Sequence, residues 1–134
     1  GTHGSTYGGN PLACAAGNAV LDVILAPGFL EGVQRVSAHL WRGLEGLVAK
    51  HPSVVEAVRG RGLLCGLKLK PEVSNGDMQG AAVAEGLLTV AAGMNVLRLA
   101  PPLIITEAEA AEAVELLDRA CRRMTPSTAK VAAK

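Results

Sequence analysis

Two stretches of this chain hold residue types that could bind an anion. The first is GTHGSTYGGNP at residues 1–11, where four glycines alternate with hydroxyl and imidazole side chains. A turn of this composition can cradle a phosphate through its backbone N–H groups and the Ser5 and Thr6 hydroxyls. It is neither a GxGxxG fingerprint nor a Walker A loop, since no lysine follows at the needed spacing. Taken alone, the signal is weak, and the favoured reading is a flexible segment without a ligand. The second is NVLRLAPPL, which sets Arg98 among apolar neighbours just before a stiff Pro-Pro. A guanidinium there can fork around a carboxylate. The competing reading is an arginine on the solvent face of an edge strand.

Other reactive side chains fall short of a constellation. His3 has no acid or second histidine near it in sequence and reads as a surface residue. His39 and His51 lie on or just beyond a helix and read as structural or solvated. Arg59 and Arg61 flank a glycine turn and read as solvated or in internal salt bridges. The three cysteines, Cys14, Cys65 and Cys121, are an odd number at wide spacing. They form no metal-ligand pattern and are expected to be buried thiols in a reducing compartment. No paired carboxylates and no Ser-His-Asp order are visible, and no metal site is expected. The five lysines (Lys50, Lys68, Lys70, Lys130 and Lys134) have no sheltered setting that would depress a pKa. On this reading the chain carries no catalytic residue of its own and is not a complete enzyme.

Composition narrows the partners. The chain has 134 residues and a formal net charge of +1, which offers no broad electrostatic attraction for nucleic acid or an anionic membrane. Tyr7, Phe29 and Trp41 are its only aromatics, too few for a base-stacking surface. No signal peptide or long apolar span is evident.

The elements that must position these residues follow from capping and periodicity. Asn10 can cap a helix with Pro11 at its first position, running from Leu12 to Ala26 before Pro27-Gly28. Its small residues suit close packing. A second helix is predicted over Phe29–Lys50, with Val33, Val36, Leu40, Leu44 and Leu47 on one face. Gly43 and Gly46 inside it imply close neighbours. Strands are predicted at Val54–Arg59 and Leu63–Lys70, bent or joined at Gly60-Arg61-Gly62. A short helix over Asp77–Glu85 closes at Gly86. Strands follow at Leu87–Val90 and Val96–Leu99. Thr106 and Glu109 form a capping box for the last helix, which carries a stripe of Ala110, Ala113, Val114, Leu117, Cys121 and Met124. The fold class is therefore α/β (α+β), a small antiparallel or mixed sheet covered by helices on one side and preceded by a long helix. The segments are a glycine-rich loop at 1–10, a domain with leading helices at 11–124, and a frayed tail at 125–134.

Four blocks occur in one order: GTHGSTYGGNPLACAAGNAVLDVI, VRGRGLLCGLKL, EGLLTVAAGMNVLRLAPPL and ITEAEAAEAVELLDRAC. Together they resemble the class III pyridoxal-phosphate aminotransferases over about residues 1–124. The resemblance implies the C-terminal small domain of a fold type I enzyme. Such enzymes are cytoplasmic homodimers with active sites at the subunit boundary. The pattern is most similar to members that move the amino group of N2-acetyl-L-ornithine to 2-oxoglutarate in arginine biosynthesis. Members acting on ornithine, succinylornithine or 4-aminobutyrate share much of it. A non-catalytic binding or structural module is the alternative from another class.

The resemblance assigns roles residue by residue. Thr6, assisted by Ser5, would reach the pyridoxal 5'-phosphate phosphate in the partner subunit. Arg98 would grip the α-carboxylate of acetylornithine or glutamate. The Schiff-base lysine and the aspartate facing the pyridine nitrogen would lie upstream in a large domain. The isolated chain is therefore expected to be inactive, and to associate through surfaces the large domain would cover. Two positions depart from the family pattern: Tyr7 stands where phenylalanine is common, and Met94 stands where a polar residue is expected.

Overall fold

The computed structural model describes residues 4–125. His3 and the tail from residue 126 lie outside them. The chain divides into two units, one ending at Gly32 and the other beginning at Val33.

In the first unit, helix α1 spans Pro11–Ile24. The Asn10 side chain caps it by accepting from the Ala13 N–H at 2.9 Å, and Pro11 fills the first position, as its missing donor allows. Gly28, at φ +83°, turns the chain toward helix α2, Phe29–Lys50. No residue of α1 is buried, and Leu12 remains 81 % exposed.

The second unit is a four-stranded, wholly antiparallel sheet in the order β1-β2-β4-β3. The strands are β1 Val55–Arg61, β2 Leu64–Leu69, β3 Val90–Ala92 and β4 Val96–Leu99. Helix α3 (Asn75–Ala84) precedes β3, and α4 (Glu107–Met124) follows β4. Inward-facing Cys65, Leu67, Leu69, Leu97 and Leu99 join Leu40, Leu44 and Leu47 of α2 and Ala110, Leu117 and Cys121 of α4 in one core. Burying each large aliphatic chain contributes about 2 kcal/mol.

Three expectations shift. The β1–β2 turn is Gly62-Leu63, not Gly60–Gly62, because Arg61 pairs with Leu64 and Gly62 takes φ +59° in the tight connection. β3 begins at Val90 rather than Leu87. Gly86, at φ +92°, closes α3 with Gly86 N–H donating to Val83 O and Leu87 N–H to Ala82 O, which pulls Leu87 back onto the helix. Cys14 is exposed, because α1 buries nothing, whereas Cys65 and Cys121 are buried. Burial pushes the Cys65 thiol up to about 11. Burial, together with the Asp118 carboxylate, pushes Cys121 to about 12. Both are inert at neutral pH.

The last helix bears out its cap: Thr106 N–H donates to Glu109 Oε2 at 2.8 Å, and Glu109 N–H to Thr106 Oγ1 at 3.2 Å. Asp118 of α4 is buried, which its sequence pattern does not announce. It accepts from Lys50 Nζ at 2.8 Å, from Arg122 at 2.6 Å, and lies 2.6 Å from His51 Nε2. Burial opposes its charge, yet bonds from Lys50, His51 and Arg122 outweigh that cost. They hold its carboxyl well below the usual range. His51 is thus structural, bracing the end of α2 against α4. Gly43 has the close neighbour its position implies, since an added Cβ would meet Val114 Cγ2 at 2.7 Å; Gly46 has none within 4 Å.

Candidate functional site

Cross-strand partners share a face, so the register defines what surrounds Arg98. Arg98 pairs with Gly66 of β2 and Val90 of β3, and Gly66 pairs in turn with Arg59 of β1. Arg59, Gly66, Arg98 and Val90 form one row across the face opposite the core. β4 is an interior strand, so the edge-strand reading of Arg98 is incorrect. The guanidinium is exposed because it points away from the helices, and it forms no hydrogen bond or ion pair among the described residues.

Arg98 lines a depression of about 370 Å³ whose other walls include Arg59, Gly66, Met94 and Val96. Gly66 is buried between the two arginines, where the packing against β4 leaves no room for a side chain. A Cβ at that position would lie 2.6 Å from Leu97 O and 2.7 Å from Val96 Cγ1. Arg59 and Arg98 are two strands apart, about 10 Å between their Cα atoms. Arg59 and Arg61 are exposed and form no ion pair among the described residues, so of the two readings, solvated or internally paired, the solvated one holds. Sequence alone did not place Arg59 beside Arg98; only the strand order does that. A positive pocket with aliphatic walls suits a carboxylate carried on a short carbon chain.

The turn that closes this depression is Gly93–Asn95. Met94 and Asn95 both adopt the left-handed region, at φ +58° and +56°. Neither Asn75 nor Asn95 stood out in the sequence. A non-glycine run in that conformation carries no sequence signature beyond asparagine's tolerance for it.

In the first unit, Ser5 Oγ accepts from Gly8 N–H at 2.9 Å, tightening the loop. A Cβ on Gly8 would come within 3.0 Å of Ser5 Cβ, and Gly9 adopts φ +74°. Position 9 therefore favours glycine by its conformation, whereas a side chain at position 8 would only crowd Ser5. Tyr7 O accepts from the Asn10 N–H at 3.3 Å and from Nδ2 at 2.9 Å, which joins the loop to the helix cap. Ser5 and Thr6 are exposed. The Ser5 hydroxyl keeps its proton available to donate, and the Thr6 hydroxyl bonds to no described residue. These donors fit a phosphate. Among the described residues, no group of three His, Cys, Asp or Glu could hold a metal ion. No single described helix is long and apolar enough to cross a membrane.

Comparison with known proteins identifies the family and the fold. The family profile "Aminotransferase class-III" matches residues 1–121. The acetylornithine aminotransferase of Rhodobacter capsulatus is 56% identical over 120 residues, covering 90% of this chain and 30% of that protein. Acetylornithine aminotransferase 1 of Bradyrhizobium diazoefficiens is 53% identical over 133 residues, 99% of this chain and 32% of that protein. Among solved structures, an ornithine δ-aminotransferase of Plasmodium falciparum superposes with a TM-score of 0.82 at 34% identity. It covers 92% of this chain and 32% of its own. The acetylornithine aminotransferase of Elizabethkingia anophelis gives 0.79 at 34% identity, covering 92% and 31%. The chain spans about a third of the length of the relatives it matches. Its sheet and helices are those of the small domain of a type I pyridoxal-phosphate fold, and the chain belongs to the class III aminotransferases.

Proposed function

We propose that this chain is the C-terminal third of a pyridoxal-phosphate aminotransferase. The complete enzyme converts N2-acetyl-L-ornithine and 2-oxoglutarate to N-acetyl-L-glutamate 5-semialdehyde and L-glutamate. Arg98 carries the reading: an interior-strand guanidinium, exposed, unpaired among the described residues, and set in an aliphatic depression. Its role is to hold a substrate carboxylate in one orientation, which converts binding into alignment of the reacting carbon. Chemistry refines which substrate this is. In glutamate the exchanged amino group sits on the carbon next to the α-carboxylate. In acetylornithine it sits on the terminal carbon, far from the carboxylate. Arg98 therefore serves the glutamate and 2-oxoglutarate half of the reaction, rather than both substrates alike.

When bound, pyridoxal phosphate supplies an electron sink at the reacting carbon. Thr6 and Ser5 donate to its phosphate in the partner subunit's site of a homodimer, and Gly8 and Gly9 let the loop approach. The Schiff-base lysine belongs to the large domain, so this chain by itself does not transaminate. The enzyme works in the cytoplasm. The likeness of the fold to ornithine aminotransferases, at a TM-score of 0.82, makes ornithine the second substrate to test.

The test is the complete enzyme assayed with acetylornithine, ornithine, succinylornithine and 4-aminobutyrate, alongside its Arg98→Ala variant. The expected result is a preference for acetylornithine and a roughly hundredfold loss in kcat/KM for glutamate in the variant. Unchanged glutamate kinetics in Arg98→Ala would overturn the assignment, and any turnover by the 134-residue chain with added cofactor would overturn the division of labour.

A further inference from the structure

We infer that Asn95 is a positioning residue for the carboxylate site, acting through Met94, which forms an apolar wall beside Arg98. This rests on Arg98 holding a substrate carboxylate. The turn Gly93–Asn95 joins Ala92 to Val96, which pair across β3 and β4, so it ends three residues before Arg98. Asn95 fastens it on several sides. Its Nδ2 donates to Lys70 O at 3.0 Å and to Val73 O at 2.9 Å, with a longer contact of 3.5 Å to Leu69 O. Its Oδ1 accepts from Asn75 N–H at 3.0 Å. Asn75 Nδ2 reaches back to Ala92 O at 2.7 Å, and Lys68 Nζ donates to Met94 O at 2.6 Å.

Folding alone does not explain what this clasp holds. Met94 sits at φ +58°, ψ +31°, where a side chain is disfavoured, and is 76 % exposed. It gains little burial for that conformation, and glycine would adopt it without cost. Yet its side chain lines the same depression as the Arg98 guanidinium. An apolar surface fixed beside a carboxylate fork is suited to pack against the carbon chain behind that carboxylate.

The complete, cofactor-loaded enzyme tests this through its two half-reactions, followed separately by the absorbance of the cofactor. Asn95→Gly keeps the left-handed turn but deletes the clasp. Asn75→Ala cuts the bond to Ala92 O, with the longer contact to Val96 O, but leaves the residues of the turn and the bonds of Nδ2 of Asn95 in place. Met94→Ala leaves the clasp intact, removes the wall, and remains informative if either asparagine variant fails to fold. Asn95→Gly is expected to weaken the apparent affinity for glutamate about tenfold, with the maximal rate within about twofold and acetylornithine unaffected. Asn75→Ala and Met94→Ala should shift it the same way by about threefold. The inference falls if these variants leave glutamate affinity unchanged, or weaken both substrates equally, as a merely structural role would. Arg98→Ala separates the two claims. If it abolishes glutamate binding while the three variants do not, only the wall is refuted. If it too has no effect, the carboxylate reading itself is wrong.

Discussion

Replacing Gly66 with alanine tests the link between sheet register and site. The added Cβ would stand 2.6 Å from Leu97 O, 2.7 Å from Val96 Cγ1 and 3.3 Å from Arg98 Cα. The first and last are backbone atoms of β4, which cannot rotate away. Restoring ordinary contact requires β2 and β4 to separate by roughly 0.8 Å at the pair that carries Arg98, or the strand to bulge. Overpacking of this kind costs about 3 kcal/mol when backbone must move. For a unit of about a hundred residues, that lowers the melting temperature by roughly 10–20 °C. Thermal unfolding followed by circular dichroism measures the loss. In the complete enzyme the displacement also moves the guanidinium, so affinity for glutamate should fall more than affinity for acetylornithine. A Gly66→Ala protein that melts within about 2 °C of the native chain would refute the packing argument. One that is destabilised but binds glutamate normally would break the link between this strand pair and the site.

Three further predictions follow from the second unit and from α1. Gly46→Ala should stabilise by about 1 kcal/mol, since the position is open and alanine favours helix, whereas Gly43→Ala should destabilise by about 1 kcal/mol because Val114 cannot turn aside; denaturant midpoints distinguish the two. Asp118 has a lowered folded pKa, so its stabilisation is present above about pH 4, the unfolded carboxylate value, and is lost as pH falls toward the folded one. Asp118→Asn should cost about 2 kcal/mol at pH 7, with a gap that narrows in melts at pH 4 and pH 3; a constant gap would show that the charge is not what matters. The 134-residue chain should self-associate through the exposed Leu12 and Leu21 of α1 and Leu25 at its C-cap, read by light scattering at roughly tens of micromolar; a clean monomer of 13.7 kDa would contradict this.

Local chemistry determined much of the molecule before any tertiary contact was known. Asn10-Pro11, the leucine stripe of α2 and the Thr106–Glu109 box each satisfy their own backbone groups or bury their own face, so caps and periodicity placed all three helices within two residues. The strand at Val96–Leu99 was equally legible from its Pro-Pro stop. Thr6, Ser5 and Arg98 stood out as residue types able to bind an anion. Strand order is a different matter, because pairing joins residues far apart in the chain. Only that order set Arg59 and Gly66 beside Arg98, and moved Arg98 from a supposed edge to the interior of the sheet. Asp118 and His51, and Asn75 and Asn95, are 67 and 20 residues apart, and each pair owes its role to hydrogen bonds that exist only once the chain has closed.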